Sequence, residues 1–288
     1  MAAVLLGVVA ALSWSVHDLI ARSFAIRIGP VRMAIAVMIL GGLLMTFLII
    51  YRGTIWQATA SGILQSLLLG VAYGMGVGGL FKAFSLGPIS LVGPITAAYP
   101  ALVVLWGVAN GLSPSALQWA AIAVTLMGAV LVARSGHENG GINAVARKNV
   151  LPLLFFCLLC SIGYAASVVI GQKAAVTIGE YEATWISRAT AALVLVPFVV
   201  GEAKPVSLAP RHWWGIATMA ILDMAGLTAI NASGFLPEHD FAAIGISTYG
   251  ASAVILAALV LKEKVSPGQW AGIGLIVSGV AVISIARY

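Results

Sequence analysis

The chain alternates long hydrophobic runs with short polar breaks. A run of about twenty apolar residues is long enough to cross a bilayer core of roughly 30 Å as an α-helix. Ten runs of this kind are predicted to span a membrane, at about 2–21, 31–51, 61–82, 88–110, 115–134, 150–171, 182–201, 212–235, 240–261 and 268–286. The connections leave no room for a soluble domain, so the function is expected to lie within the bilayer.

The breaks contain the residues that end helices. Proline, glycine and charged residues occur at Gly29-Pro30, at Gly111 to Pro114 and at Lys262 to Pro267. The longest break, 135–149, falls near the middle of the chain. We therefore predict an all-α polytopic membrane protein with two units of five helices, residues 1–134 and 150–288, joined by a loop over 135–149.

Composition and charge narrow the class of protein. Hydrophobic residues make up 61% of the chain and charged residues 8%, with a formal net charge of +6. The basic residues stand at helix ends and are not gathered on one surface, so nucleic acid is not an expected partner. Met1 is followed by apolar residues with no basic segment, which predicts that the first helix is retained and is not a cleaved signal.

The basic residues also predict a topology. If the amino terminus is outside the cytoplasm, eleven of the fifteen Lys and Arg residues fall on the cytoplasmic side, so both termini are predicted on the other side. In the first half these residues follow the first and third helices, and in the second half they follow the second and fourth. Two related five-helix units inserted in opposite directions would have this distribution.

Sequence echoes between the halves support an internal repeat. They pair Ser113–Gly128 with Ser266–Gly279, Phe84–Tyr99 with Phe235–Tyr249, and Arg32 with Arg188. Inverted repeats can form two packings of similar energy around a cavity at the middle of the membrane, each open to one side. The pattern therefore predicts a transporter that works by alternating access.

The ending Leu261–Gly272, followed by Gly279-Val280, resembles the second EamA repeat of the drug/metabolite transporter superfamily. Trp14 and Arg32 in the first half also fit that family. The resemblance implies ten helices in two repeats of five, in a cell membrane and most simply a bacterial inner membrane. Similar bacterial proteins export amino acids and related small metabolites, whereas eukaryotic relatives exchange nucleotide sugars or triose phosphates. The acidic residue that the family has before the fifth helix is replaced here by Asn110-Gly111.

The third and fourth helices are predicted to include a moving wall of the cavity. Gly70, Gly74 and Gly78 recur every four residues, so one face of the third helix would let a neighbouring backbone approach closely. Pro94 and Pro100 each remove a backbone donor within the fourth predicted helix. We expect Gly74, Gly78, Pro94 and Pro100 to act in gating; packing and helix kinks are the alternative.

Candidate solute contacts are side chains within the spans that combine apolar area with a polar edge, which suits small solutes of amino-acid size. They are Trp14, His17, Tyr73, Tyr99, Tyr164, Trp185, Asn231 and Tyr249. A belt of aromatic residues at the membrane surface is the competing interpretation. Tyr99 and Tyr249, near mid-span at equivalent points of the two halves, are the strongest candidates for the cavity.

Charged residues inside spans need partners, because an ionised carboxylate in a helix centre costs roughly 2.5–3.5 kcal/mol on insertion scales. Asp223 should therefore face the bundle, and it and His17 are the candidates for proton coupling. Asp18 is expected to pair with Arg22 one helical turn away, with His17 on another face.

The two remaining intramembrane features are expected to be structural. Arg32 and Arg188 lie near helix starts, so extension of their charged ends to the membrane surface is the expected behaviour, with pairing to acidic residues or to a solute carboxylate as the alternatives. Cys157 and Cys160 have no second ligand pair for a zinc ion and are expected to be packing residues.

Enzyme and pump motifs are missing from the sequence. There is no nucleophile elbow, no zinc-protease motif and no phosphate-binding loop, so we expect no cofactor and no ATP site. The favoured hypothesis is a secondary carrier. The alternative from another class is an intramembrane enzyme acting on a lipid-linked substrate, with His17, Asp18 and Asp223 as acid and base groups. The sequence leaves the solute and the oligomeric state open.

Overall fold

A computed structural model describes residues 1–53, 59–86, 92, 96, 99–135, 147–200, 213–260 and 265–285. Within these residues the side chains of 22–28, 133, 147, 257 and 283–285 are not described. The described chain is helical, with no strand in those ranges. It contains α1 (Ala2–Ile28), α2 (Pro30–Arg52), α3 (Ala60–Leu86), α4 (Tyr99–Ala109), α5 (Ala116–Ser135), α6 (Arg147–Ile178), α7 (Glu180–Leu195), α8 (Trp213–Ala232), α9 (Ala242–Ile246), α10 (Thr248–Val260) and α11 (Pro267–Ile285).

These helices account for the ten predicted spans. Seven stretches of the described chain are long and apolar enough to cross a membrane, and shorter apolar helices occur at Tyr99–Ala109, Ala116–Val132 and Pro267–Val282. The chain is therefore a polytopic all-α membrane protein. Its outer surface is apolar, since side chains such as Phe47, Leu151 and Leu193 are more than 70% exposed. Such a surface is suited to contact with lipid.

The helix bounds differ most from the predicted spans in the first, sixth and ninth spans. The first and sixth helices continue past the apolar runs, to Ile28 and Ile178. The ninth predicted span, 240–261, is divided at Ser247 into α9 and α10, and the short 3-10 turn His239–Phe241 precedes it. The start of the fourth predicted span lies mostly outside the described residues.

Two glycines fix the register between the halves. Gly29 separates α1 from α2 and Gly179 separates α6 from α7, with φ angles of 84° and 99° that favour glycine. The two positions are 150 residues apart. At that spacing Arg188 corresponds to Met38, so the predicted correspondence of Arg188 with Arg32 is wrong.

Close contacts repeat at the same spacing. An added Cβ at Gly76 in α3 would lie 2.6 Å from the ring of Tyr164 in α6, and one at Gly226 in α8 would lie 2.9 Å from the ring of Trp14 in α1. Gly226 and Trp14 are the residues 150 positions from Gly76 and Tyr164. The contact of α1 with α8 is thus the counterpart of the contact of α6 with α3.

The last helices of the two halves, α5 and α11, pack against each other with twofold reciprocity. Gly128 lies against the backbone of Gly272 and Ile276, and Gly279 lies against the backbone of Ala121 and Thr125. A shift of 151 positions converts one set of contacts into the other. Ala121, near the start of α5, contacts Gly279, near the end of α11, so these equivalent helices are antiparallel. The two five-helix units are therefore inverted repeats.

The glycine face of α3 contacts α7 and the turn after it. An added Cβ at Gly70 would lie 2.5 Å from the carbonyl oxygen of Ser187. Gly74 lies against Val194, and Gly78 lies against Phe198 in the 3-10 turn Val196–Val199. The close approach predicted from the four-residue spacing is present, because side chains at these positions would collide with the neighbouring helix.

Candidate functional site

A single carboxylate joins four helices near the middle of the bundle. Asp223, ten residues after the start of α8, is 3% exposed. Its Oδ1 accepts hydrogen bonds from Trp14 Nε1 of α1 at 3.1 Å and from the Tyr73 hydroxyl of α3 at 2.7 Å. Its Oδ2 accepts one from Arg188 Nη1 of α7 at 2.5 Å. Asp223 therefore faces the bundle and has a partner, as its depth in the span requires. We call Trp14, Tyr73, Arg188 and Asp223 the central network.

Arg188 is the member of this network for which the sequence favours a different role. It lies eight residues after the start of α7 and is 1% exposed. Its Nη2 donates to the backbone oxygen of Asp223 at 3.3 Å, and its guanidinium carbon lies 5.5 Å from the centre of the Tyr73 ring. The expectation that its charged end reaches the membrane surface is wrong. The structure instead contains the alternative, pairing with an acidic residue, and the signal for it is an isolated cation and an isolated anion in different spans.

The network lies where the two repeats meet. At a spacing of 150 residues, Tyr73 corresponds to Asp223, and both belong to the network. At the same spacing Trp14 corresponds to Tyr164, and Arg188 corresponds to Met38; Tyr164 and Met38 are direct neighbours of the network. Two of these corresponding pairs are in contact, since Tyr73 donates to Asp223 and Arg188 Nη1 lies 3.0 Å from Met38 Sδ. A residue can touch its own counterpart only near the pseudo-twofold axis. The second half supplies both charges, and the first half supplies uncharged side chains.

Two further tyrosines, Tyr164 and Tyr99, extend the network. The ring of Tyr164 lies 6.1 Å from that of Tyr73 and 5.6 Å from that of Tyr99, centre to centre, with tilted planes. Tyr99 and Trp14 both pack against a core cluster that includes Val103 and Ile230. The structure thus brings four of the predicted solute contacts, Trp14, Tyr73, Tyr99 and Tyr164, into one connected group.

A second polar group lies on α1. His17 Nδ1 is 2.7 Å from Asp18 Oδ1, and the Tyr249 hydroxyl of α10 donates to Asp18 Oδ2. The His17 side chain is 17% exposed and that of Asp18 is 48% exposed. His17 and Asp18 are thus in contact with each other, contrary to the expectation of separate faces. Arg22, the partner predicted for Asp18, has its side chain outside the described residues.

The other predicted residues lie in contacts between helices. Trp185 Nε1 donates to Thr46 Oγ1 at 2.7 Å, joining α7 to α2. Asn231 is fully buried, and its Nδ2 donates to Thr184 Oγ1 at 2.9 Å, joining α8 to α7. Pro100 is buried at the second position of α4, and Pro94 lies outside the described residues. Cys157 and Cys160 are buried free thiols.

The site offers hydrogen-bonding and aromatic groups but no metal ligand set. In the part of the chain that the structure describes, no three His, Cys, Asp or Glu side chains are close enough to share a metal ion. The Arg188 Nε atom and the Asn231 Oδ1 atom are buried, and neither has a hydrogen-bond partner among the described residues. The arrangement can therefore bind and orient a polar solute through its rings and hydrogen-bonding groups.

Comparisons with known proteins agree with this architecture. The sequence model of the EamA-like transporter family matches residues 1–134 and 151–285. Among curated protein sequences, none matches the chain significantly. One similar solved structure, described only as the crystal structure of a protein, superposes with a TM-score of 0.81 at 19% sequence identity. That superposition covers 98% of this chain and 96% of the other. At this identity the likeness concerns the fold alone.

Proposed function

Because the chain belongs to the EamA-like transporter family, we propose that it is a secondary carrier that exports amino acids or similar small metabolites. As a member of that family it is a small-molecule membrane transporter with the two-repeat architecture of the drug/metabolite transporter superfamily. The proposal adds the solute class, the direction, the cell membrane as its location and the mechanism of alternating access. It also assigns residues 1–134 and 150–288 as the two units that move, with both termini outside the cytoplasm.

The observation that carries the proposal is the central network on the pseudo-twofold axis. Trp14 and Tyr73 come from the first half, and Arg188 and Asp223 come from the second. Rocking of one half against the other leaves a site at their interface in place, so a solute held there can face either side of the membrane in turn. Gly74, Gly78, Pro94 and Pro100 are proposed to allow this movement.

The solute class follows from the side chains around the network. Tyr99, Tyr164 and Trp14 supply aromatic surface with polar edges, while His17, Asp18 and Tyr249 supply groups that can bind an ammonium or a carboxylate. A molecule with an apolar side chain and two charged groups uses both sets. Amino acids are the simplest molecules of that kind. Trp185 and Asn231, which lie in nearby interhelical contacts, are proposed to shape the same cavity.

We assign proton coupling to His17. Asp223 is already neutralised by a buried cation in direct contact, whereas the His17 ring is hydrogen-bonded to a half-exposed carboxylate. Histidine can gain and lose a proton near neutral pH. A glutamine at position 17 should abolish uptake driven by a pH gradient and leave exchange at equal pH intact. A pH-driven uptake that survives this change would remove His17 as the proton carrier.

Uptake by purified protein in liposomes tests the carrier proposal. Radiolabelled amino acids, purines and sugar nucleotides are offered in turn, and the accumulated solute is recovered and identified. We expect amino-acid uptake that is lost in Tyr99→Ala and kept in Trp214→Ala, because Trp214 is a 79% exposed ring at a helix start. Recovery of a chemically altered solute would favour an intramembrane enzyme, and preferential uptake of sugar nucleotides would favour an exchanger.

A further inference from the structure

A cavity lies away from the central network, between α4, α6 and the segment that joins α8 to α9. Its volume is about 350 Å³. It is lined by Trp106, Asn110, Lys173, Glu238, His239 and Asp240, among others. Trp106 follows Tyr99 by seven residues in α4, and Lys173 follows Tyr164 by nine in α6, so the cavity is roughly 10–13 Å from those rings along the same two helices.

Buried hydrogen bonds hold the walls of this cavity in place. Gln172, 2% exposed, donates from Nε2 to Ser233 Oγ at 2.9 Å and to the backbone oxygen of His239 at 3.0 Å. The carboxylate of Asp240 packs against Gly107 of α4, where an added Cβ would lie 2.6 Å from Oδ2. The segment carrying His239 and Asp240 is therefore attached to both α6 and α4. A preformed cavity of this kind is typical of ligand sites.

The backbone at the rim is strained. Glu238 has φ 58° and ψ 34°, and among the described residues it is the only one other than glycine with a positive φ. Glutamate has no intrinsic preference for this left-handed conformation. Residues held in such conformations cluster at functional sites, where the surrounding structure fixes a side chain in position.

Both signs of charge meet in the cavity. The Lys173 ammonium lies 5.3 Å from the centre of the Trp106 ring, within the range of a cation–π contact. Glu238 and Asp240 contribute carboxylates to the same lining. A ligand with one ammonium and one carboxylate can pair with both kinds of charge at once, whereas an amine or an acid alone pairs with only one kind.

The cavity is at the end of the molecule where the chain begins. Val4 of α1 packs in one cluster with Val104 of α4 and Phe241, the residue after Asp240. The charge distribution predicts that the amino terminus is outside the cytoplasm. The cavity is thus assigned to the external side of the membrane.

We propose that this cavity is an external binding site for zwitterionic amino acids, through which the solute passes to or from the central network. Lys173 binds the carboxylate, and Glu238 and Asp240 bind the ammonium. The choice of amino acids as the ligand class rests on the proposed function. The site itself rests on the cavity, the charges of both signs in its lining and the strained backbone of Glu238.

Protection of a cysteine from labelling tests the site. Asn110→Cys places a thiol on the cavity wall, and the native Cys157 and Cys160 are buried. The probes are L-leucine, 3-methylbutylamine and 4-methylpentanoate, which share an apolar group and differ in charge. At ten times its dissociation constant, leucine should slow labelling by a membrane-impermeant maleimide about tenfold, since about one site in ten stays empty. The amine and the acid at the same concentration should not.

Two further variants separate this site from the central one. With Trp14→Ala added to Asn110→Cys, protection by leucine should persist, because Trp14 belongs to the central network. With Lys173→Met added, protection should disappear. Equal protection by all three probes, no protection by leucine, or loss of protection in the Trp14→Ala background would overturn the proposal. Leucine uptake without protection rejects the cavity site alone, and protection without uptake of any amino acid rejects the carrier function alone.

Discussion

The Arg188–Asp223 pair is buried where charges are expensive. Arg188 is 1% exposed and Asp223 is 3% exposed, and removal of two ions from water costs several kcal/mol each before their attraction is counted. The hydrogen bonds that Trp14 and Tyr73 donate to the Asp223 carboxylate offset part of this cost. The corresponding positions of the first half hold Met38 and Tyr73, so the repeat can form without charges there. This difference between the halves favours a functional reason for the pair.

Removal of one charge should cost more than removal of both. Arg188→Met, which copies the residue of the first half, leaves Asp223 buried without its cation and should destabilise the protein by about 3–5 kcal/mol. The double variant Arg188→Met, Asp223→Asn should recover a large part of that loss, because neither ion remains. Equilibrium unfolding in detergent micelles measures both changes.

A matched carboxylate provides the control for this comparison. Asp18→Asn removes a charge whose side chain is 48% exposed, so it should cost about 1 kcal/mol or less. If Asp18→Asn destabilises as much as Arg188→Met, or if the double variant is less stable than Arg188→Met, the central pair does not have the energetic role described here.

Removal of the hydroxyl from two neighbouring tyrosines of the site should change the stability of the protein by different amounts, even though their rings are in contact. Tyr73→Phe removes a hydroxyl that donates to a buried carboxylate and should cost about 1.5–3 kcal/mol. Tyr164 makes ring contacts and has no hydroxyl hydrogen bond among the described residues, so Tyr164→Phe should be within about 0.5 kcal/mol of the parent. Thermal unfolding of the two variants in the same micelles checks the difference, and equal losses would contradict it.

At the scale of the helices, stability depends on glycines that meet rings. Gly76 and Gly226 occupy equivalent positions and lie against Tyr164 and Trp14, with added Cβ atoms 2.6 and 2.9 Å from those rings. Gly76→Ala and Gly226→Ala should each cost about 1–3 kcal/mol, because a ring or a helix must move. Gly226→Ala should also weaken solute uptake, since Trp14 would shift away from Asp223.

Gly274 is the control for these two substitutions. It lies in α11 with no atom within 4 Å of an added Cβ. Alanine there should stabilise the helix by about 0.5–1 kcal/mol, because the unfolded chain has less conformational freedom with alanine than with glycine. Unfolding midpoints of the three variants measure the contrast. If Gly76→Ala or Gly226→Ala stabilises the protein as much as Gly274→Ala does, the close helix contacts do not exist.

The sequence predicts the helices better than their ends. Hydropathy identifies the spans, but it ends the first near residue 21, where Arg22 lowers the average, whereas α1 continues to Ile28. The helix continues because nothing in residues 22–28 breaks it, and Gly29 and Pro30 then do. The division of the ninth span at Ser247 has no comparable signal in composition. It depends on packing against α1, where Gly245 meets Gly7.

Only part of the site could be predicted, because packing between different helices leaves no local pattern in the sequence. Trp14, Tyr73 and Tyr99 were recognisable because aromatic residues in mid-span are unusual and point to a cavity. For Arg188, the predicted span that begins at 182 places the residue close to a helix start, which favours extension to the membrane surface over pairing with an acidic residue. In the structure α7 begins at Glu180 and Arg188 lies two turns inside it. Its pairing with Asp223 is a contact between different helices, which no local pattern reports.

At the scale of the whole molecule, the repeat register could have been read from the sequence alone. A constant spacing of 150 relates Gly29 to Gly179, Gly76 to Gly226 and Tyr99 to Tyr249. The echo of Arg32 by Arg188 departs from that spacing and was therefore a false match. A spacing of 150 that holds over several helices, and becomes 151 in the last helix of each half, is stronger evidence for duplication than one shared residue type, because many residues must satisfy it together.

Opposite insertion of the two halves leads to a prediction about sidedness. Asn110 follows α4 and Lys148 lies at the start of α6, so one helix, α5, separates them. If both termini are outside the cytoplasm, Asn110→Cys should react with a membrane-impermeant maleimide on intact cells, and Lys148→Cys should react only after permeabilisation. The buried native thiols, Cys157 and Cys160, give the background. The reverse pattern would place the carboxylates and the lysine of the external cavity on the cytoplasmic side. The central network would keep its geometry, but the cavity would then be the site where an exported solute first binds.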